Sequence, residues 1–366
     1  MNVLKNLAKT ISISLLCFFL VLLSLVPAGC RSSHESLELL SGDFSVPALS
    51  SCGVTSPSRV ELSFSKPVEA RFVSLSRVES SGDICDMEVS FFTEDDGDGK
   101  KIIVESTENL EVGAKFVLAG EIADRRGNTL TFSIPVNGFN EHVPVLAFSE
   151  LRNNWKNQDG RSEYVEFYVL TGGNLSGLVF ENASKAGKKK YAFPPCEVKK
   201  GEYIVLHLQT PTENDVADSG AVDETGSNLG LSSVRADECL STARDFWAPY
   251  CEKILAATDI LVLRDMNSGG RIIDAVAYRT DDKESQWKSY CQSLAAEVEE
   301  SMLWCNLEGE ASCTFETAAN ITELKTAATK SLSRKGVELL DCEGFSSSAR
   351  DWFVTGTKGF SPGRKN

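Results

Sequence analysis

The sequence predicts an all-β protein of two antiparallel β-sandwich domains with one added helix. Three features of its 366 residues predict this class. Short segments alternate apolar and polar residues, which places one face of each strand in a core. Turn residues, mostly Gly, Asp, Asn and Pro, separate these segments at strand-like intervals. Apolar residues at helical spacing occur in residues 283–304.

The first 29 residues have the layout of a secretory signal peptide. Lys5 and Lys9 form a basic start, and an uncharged apolar run follows over residues 11–26. This run is shorter than the roughly 20 residues that a membrane-spanning helix needs. Small residues then lead to Cys30, as at a signal cleavage site. We therefore expect an exported protein.

The cleavage region resembles that of a bacterial lipoprotein. The resemblance implies cleavage before Cys30 and attachment of diacylglycerol and palmitate-type acyl chains, with residues 30–47 as a polar tether. Pro27 stands where Leu is usual, so ordinary cleavage after Ala28 or Gly29 is the alternative. Arg31 follows the cysteine, which favours the outer membrane, because the Asp that often retains lipoproteins in the inner membrane is absent there.

The charge of the chain argues against nucleic acid as a partner. The formal net charge is −15 at pH 7, with 52 acidic and 37 basic residues. Phosphate backbones bind basic surfaces through release of counterions. The expected partners are therefore the membrane, through the lipid, and an envelope protein or polysaccharide.

Residues 48–140 are expected to form the first sandwich. Residues 60–75 alternate and turn at Lys66-Pro67, and the segments DMEVSFF, KKIIVES and KFVLAGEI add short strands. A turn at residues 126–128 precedes a last strand. The strand and turn residues of this segment resemble bacterial Ig-like modules, which implies an Ig-like sandwich.

Residues 141–366 are expected to form the second sandwich. They resemble the lamin-tail domain, an Ig-type sandwich found in many exported bacterial proteins. The residues that carry the resemblance are Glu150, EYVEFY at 163–168, NLSGLVF at 174–180, residues 331–334, Asp351-Trp352 and residues 362–366. Two segments depart from the family pattern, namely an acidic insertion at residues 211–253 and the helix at 283–304. The helix should bury Trp287, Cys291, Leu294, Val298 and Met302 along one face.

Nine cysteines remain of the eleven after Cys17 and Cys30. An exported compartment permits disulfides, and Cys52 and Cys85 are the only two in the first domain, so we expect them to pair. Cys239–Cys251 and Cys305–Cys313 are the nearest-neighbour pairs in the second domain. The chain has no CxxC or CxxH spacing, which argues against zinc.

One segment of the first domain has spacing that suits calcium. Glu94, Asp96 and Asp98 occupy every second position, and Glu105 occupies the place of the last ligand in a calcium loop. The alternative is a solvated β-turn without any cofactor, because Asp and Gly are ordinary turn residues.

The insertion carries an aromatic cluster, Phe246, Trp247 and Tyr250. Such residues are enriched at binding hot spots, and packing at the open end of the sandwich is the alternative. His207 lies in a predicted strand, and the common motifs of hydrolases and nucleotide-binding enzymes are absent from the sequence. We therefore expect no catalytic residues and a binding or scaffolding role in the envelope. A hydrolase or hydrolase-accessory protein acting on an envelope or extracellular polymer, and a structural spacer, are the alternatives.

Overall fold

Four larger β-sheets and two short strand pairs make up the fold, and they confirm the predicted all-β class. The computed structural model describes residues 45–94, 98–153, 163–208, 243–248, 252–281 and 286–366. The predicted signal peptide, Cys30 and all but the last three residues of the predicted tether lie outside these ranges. Within them, no helix is long and apolar enough to span a membrane.

The first sandwich contains two four-stranded sheets, ordered β1-β2-β6-β5 and β4-β3-β7-β8. All neighbouring strands in these sheets are antiparallel. The strands are β1 (Leu49–Ser56), β2 (Arg59–Phe64), β3 (Glu69–Val78), β4 (Ile84–Met87), β5 (Val89–Thr93), β6 (Lys101–Ser106), β7 (Lys115–Ala123) and β8 (Thr129–Asn137).

Alternation in sequence places one face of each of these strands in the first core. Val60, Leu62 and Phe64 of β2 meet Phe116 and Leu118 of β7 there, and all five are buried. The intervening residues of β2 carry the polar groups of its outer face. The periodicity read from the sequence is therefore the periodicity of the core.

The second sandwich contains a six-stranded sheet, β16-β15-β10-β9-β21-β23, and a five-stranded sheet, β13-β12-β17-β18-β20. Two short pairs, β11-β14 and β19-β22, complete it. The strands are β9 (Val145–Arg152), β10 (Tyr164–Thr171), β11 (Gly173–Asn174), β12 (Leu178–Asn182), β13 (Lys190–Ala192), β14 (Glu197–Val198), β15 (Tyr203–His207), β16 (Ala243–Trp247), β17 (Asp259–Asp265), β18 (Arg271–Arg279), β19 (Trp304–Cys305), β20 (Ala319–Asn320), β21 (Leu332–Arg334), β22 (Ser347–Ser348) and β23 (Trp352–Val354).

The core of the second sandwich is rich in aromatic side chains. Phe148 of β9 and Phe167 of β10 approach to 4.7 Å between ring centroids, and Phe180 of β12 meets Phe148 edge-on at 6.5 Å. All three are fully buried. Aromatic pairs at these distances add about 0.5–1.5 kcal/mol to the stabilisation from burial alone.

The helix predicted at 283–304 is α1 (Ser289–Glu300). Cys291, Leu294 and Val298 are buried against the second core, as the spacing predicts, and Trp287 packs there before the helix begins. The prediction is wrong for Met302. The helix ends at Glu300, and Met302 has a left-handed φ of 56° and an exposed fraction of 68%.

The two sandwiches belong to one compact unit, Pro47–Asn366. The buried amide of Asn140 donates to the carbonyls of Asn174 (2.7 Å) and Ser176 (2.8 Å). Gly113 lies so close to Pro195 that an added Cβ would be 2.0 Å from the proline ring, and its φ of +82° also favours glycine. The first sandwich therefore makes specific contacts with the second.

Candidate functional site

Two residues of the aromatic cluster in the insertion, Phe246 and Trp247, lie within the described structure, and both are buried. Phe246 and Trp247 lie in β16, which pairs in parallel with β15 at the edge of the six-stranded sheet. Phe246 is fully buried and meets Phe193 at 5.4 Å, and Trp247 stacks on His207 at 4.0 Å. These two rings therefore pack locally and do not form the partner-binding surface suggested by the sequence. Tyr250 lies outside the described residues.

The predicted disulfide between Cys52 and Cys85 is not formed in the structure. Cys52 of β1 packs against the first core, whereas Cys85 of β4 is exposed, and both are free thiols. Burial raises the pKa of the Cys52 thiol to about 11, so it stays protonated at neutral pH. Cys305 and Cys313 are also free thiols, while Cys239 and Cys251 lie outside the described residues.

The candidate calcium ligands do not converge. Glu94 forms ion pairs with Lys101 (2.7 Å) and Arg59 (3.3 Å), and the hydrogen bond from Lys101 lowers the pKa of its carboxyl. Asp98 accepts from the backbone N–H of Lys100, as in an ordinary turn, and Glu105 is a strand residue of β6. Asp96 lies outside the described residues. Across the described part of the chain, no group of three or more His, Cys, Asp or Glu side chains could hold a metal.

A layer of buried ionisable residues lies on the outer face of the six-stranded sheet. Period two places Tyr164 and Glu166 of β10 on this face, opposite the core residues Val165 and Phe167. Their cross-strand partners in β9 continue the layer, since Glu150 pairs with Glu166 and Arg152 pairs with Tyr164. These four polar side chains are fully buried.

The layer continues across β15 and β16. His207 Nε2 lies 2.7 Å from Asp245 Oδ1, and the two residues are 0% and 1% exposed. A His–Asp pair is one part of a nucleophilic catalytic triad. Here the imidazole is closed off beneath Trp247, at 4.0 Å between ring centroids, so this buried pair is not open to a substrate.

The C-terminal residues 360–366, which we call the strap, cover the layer. The Phe360 ring lies 4.9 Å from the Arg152 guanidinium carbon. The backbone N–H of Ser361 donates to both carboxylate oxygens of Glu150 at 3.2 Å, and the N–H of Gly363 donates to Glu166 Oε2 at 2.5 Å. The strap is therefore anchored on the two buried carboxyl groups.

Burial dominates the electrostatics of this layer. It raises the pKa of the Glu166 carboxyl well above its usual range, and the neighbouring Glu150 raises it further. Burial likewise raises the pKa of Glu150, against the lowering effect of its hydrogen bonds. The cause is the cost of holding charge away from water. Period two in the sequence places Glu166 opposite the core, whereas Glu150 reaches the same face through an irregularity in register between Phe148 and Glu150.

A second buried ion pair joins the two sheets of the second sandwich. Arg334 of β21 donates to Asp274 of β18 at 3.0 Å, and both side chains are almost fully buried. Asp274 also accepts from the N–H of Phe148 at 2.7 Å. Removing one partner of such a pair leaves a buried charge uncompensated. This arginine ends the 331–334 motif, and its role here is structural.

An open groove of about 340 Å³ lies elsewhere on the second sandwich. It is lined by residues 143–145, the start of β18, the chain after α1 and residues 342–345. Its apolar side chains include Val143, Leu303 and Phe345, and Met302 lies between two lining residues and is 68% exposed. This is the candidate contact surface, and no local pattern in the sequence brings these segments together.

A family model described as TP_1001_2nd, protein second domain, matches residues 144–354. An uncharacterized protein of Treponema pallidum (strain Nichols) is 31% identical over 169 residues, which cover 46% of this chain and 40% of the relative. The chain thus spans less than half the length of this curated relative.

Two solved structures match this chain with low TM-scores. The copper resistance protein PcoC of Escherichia coli is 14% identical over 25% of this chain and 99% of its own, with a TM-score of 0.22. Domains 1–6 of the surface layer protein SbsC are 12% identical over 61% of this chain and 39% of their own, with a TM-score of 0.24. These likenesses carry no functional inference.

Proposed function

The chain belongs to the family described as TP_1001_2nd, whose model matches residues 144–354, and we propose that it is a lipid-anchored envelope protein with a non-catalytic binding or scaffolding role. The observation that supports this most is the closed state of the ionisable layer. Glu150, Glu166, His207 and Asp245 are all buried within the second sandwich and serve to hold its strands and its strap.

In this proposal the second sandwich is lamin-tail-like and the first is a bacterial Ig-like domain. Support for the former is that separate motif residues meet in space. Ser333 Oγ donates to Glu150 at 3.3 Å, and the N–H of Gly363 donates to Glu166 at 2.5 Å. Motif residues that are far apart in sequence are thus joined by hydrogen bonds in the folded domain.

The proposed location is the outer membrane, with the anchor at Cys30. It rests on the signal-like first 29 residues and on Arg31 after the cysteine. Acyl chains contribute about 0.8 kcal/mol for each buried CH₂ group, so two or more chains anchor a protein stably.

The proposed contact surface is the open groove, because Phe246 and Trp247 are core. Its lining is largely apolar, and the exposed Met302 adds a flexible apolar side chain of the kind used at adaptable binding surfaces. These features favour a protein partner over a polysaccharide.

Site-specific photo-crosslinking in intact cells tests this function. A photo-reactive amino acid at position 302 should give discrete adducts with envelope proteins, since this exposed position lies between two residues that line the groove. The matched control is position 188, which is also exposed on the second sandwich but is not a groove residue. Equal adduct patterns from the two positions, or none from position 302, would contradict the proposed contact surface.

A further inference from the structure

Glu150 and Glu166 form a directly opposed pair of buried carboxyl groups. They are register partners in adjacent antiparallel strands, β9 and β10, and both are 0% exposed. Like charges directly opposite each other destabilise a sheet, and burial in a low dielectric strengthens the repulsion. The pair is therefore compatible with one negative charge far more readily than with two.

The strap depends on this pair for its attachment. Two of its backbone N–H groups, those of Ser361 and Gly363, donate to Glu150 and Glu166 respectively. Phe360 completes the cover by packing with Tyr164, Val205 and Ala243. Hydroxyl groups of Ser149 and Ser333 also donate to the two carboxyl groups from the sheet side.

Charged and titratable groups of both signs surround the pair. On the sheet side it faces Arg152, Tyr164, Tyr203, His207 and Asp245. Asp245 adds a further negative charge that raises the pKa of Glu166. On the solvent side the strap and its neighbours contribute Arg334, Lys335, Glu338, Arg364 and Lys365. Of these cations, Arg334 is bound to Asp274 and Lys365 to Glu338.

We propose that residues 360–366 are a pH-operated strap, closed while the Glu150–Glu166 pair retains a proton and released when both carboxyl groups ionise. Release uncovers the outer face of the six-stranded sheet, with Tyr164, Tyr203 and Val205. The device is independent of the proposed contact groove, since the strap residues do not line it.

The direction of the pH effect follows from the raised pKa values of Glu150 and Glu166. Burial raises both above the ordinary value of a glutamate carboxyl, which exposure to water on opening would restore. The closed strap is therefore favoured at acidic pH, and closure weakens as pH rises through the raised values. Each proton released on opening changes the opening equilibrium by up to about tenfold per pH unit.

Hydrogen–deuterium exchange of the full chain tests the strap. Backbone amides of residues 358–366 should be protected from exchange at pH 5. Their protection factors, corrected for intrinsic exchange, should fall by about tenfold or more by pH 9. A peptide that covers β17 (Asp259–Asp265), in the middle of the five-stranded sheet, serves as the internal reference.

Two isosteric variants and one control complete the test. Glu166→Gln mimics the protonated carboxyl and should keep the strap protected across the whole range, and Glu150→Gln should do the same if Glu166→Gln does not fold. Glu338→Gln removes the acidic partner of Lys365, so it should lower protection at every pH with the wild-type slope. Wild-type protection that follows the β17 reference, or a wild-type slope in both Gln variants, would overturn the proposal.

Discussion

Glu163 shows at the scale of one residue how burial links this fold to pH. Its carboxylate is fully buried and accepts from the backbone N–H groups of Ile254 (2.6 Å) and Leu255 (3.0 Å). Burial raises its pKa to about 7, although these bonds favour the charged form. The Glu163 side chain thus holds the backbone of residues 254–255 in place and titrates near neutral pH.

We predict that Glu163→Gln flattens the pH dependence of stability. A pKa raised on folding contributes stability at acidic pH that is lost as pH rises through the unfolded value of roughly 4.3 to about 7. The free energy of unfolding of the wild type, measured in urea, should therefore differ between pH 5 and pH 8. Glu163 should contribute on the order of 3 kcal/mol at most to this difference. An unchanged difference in Glu163→Gln would remove Glu163 as its source.

Strand β16 shows at the scale of one element how a short edge strand is held. It pairs in parallel with β15 and places Phe246 on the core side, between Tyr191 and Phe193. On the other face Asp245 reaches His207. Arg244 also forms an ion pair with Glu202 at 2.7 Å. The attachment of β16 therefore depends on side chains as well as on one ladder of backbone bonds.

We predict that Phe246→Ala destabilises the protein by about 3–5 kcal/mol, as expected for a large aromatic lost from a packed core. The matched control is Phe353→Ala, since Phe353 is 37% exposed in β23 at the opposite edge of the same sheet. Phe353→Ala should change the free energy of unfolding far less. Urea unfolding of both variants and the wild type at one pH measures the two changes. Equal stability of Phe246→Ala and wild type would mean that the ring does not support the core.

The sequence predicted elements with strong periodicity better than elements set by distant contacts. Alternation in residues 163–168 predicts β10, and helical spacing predicts the buried face of α1. Strand β16 lies in a segment interpreted as an insertion, because its pairing with β15 crosses 38 residues between His207 and Asp245. Local periodicity carries no information on such pairing.

The ionisable layer was unpredictable for a related reason. Period two places Glu166 opposite the core, and that face is usually solvated in an antiparallel sheet. What covers it here is the strap, whose Ser361 is 211 residues away from Glu150. The Cys52–Cys85 pairing was likewise inferred from cysteine number, whereas Cys52 packs against the first core and Cys85 is exposed.

The whole molecule combines an acidic net charge of −15, two sandwiches in contact and a signal-like start. We propose that the chain works at a membrane surface through a lipid on Cys30. Partition between detergent and aqueous phases, with labelled palmitate, tests this anchor. Wild type should enter the detergent phase with label, and Cys30→Ser should enter the aqueous phase without label and with the same urea-unfolding midpoint. Labelled Cys30→Ser in the detergent phase, or unlabelled wild type in the aqueous phase, would contradict the claim.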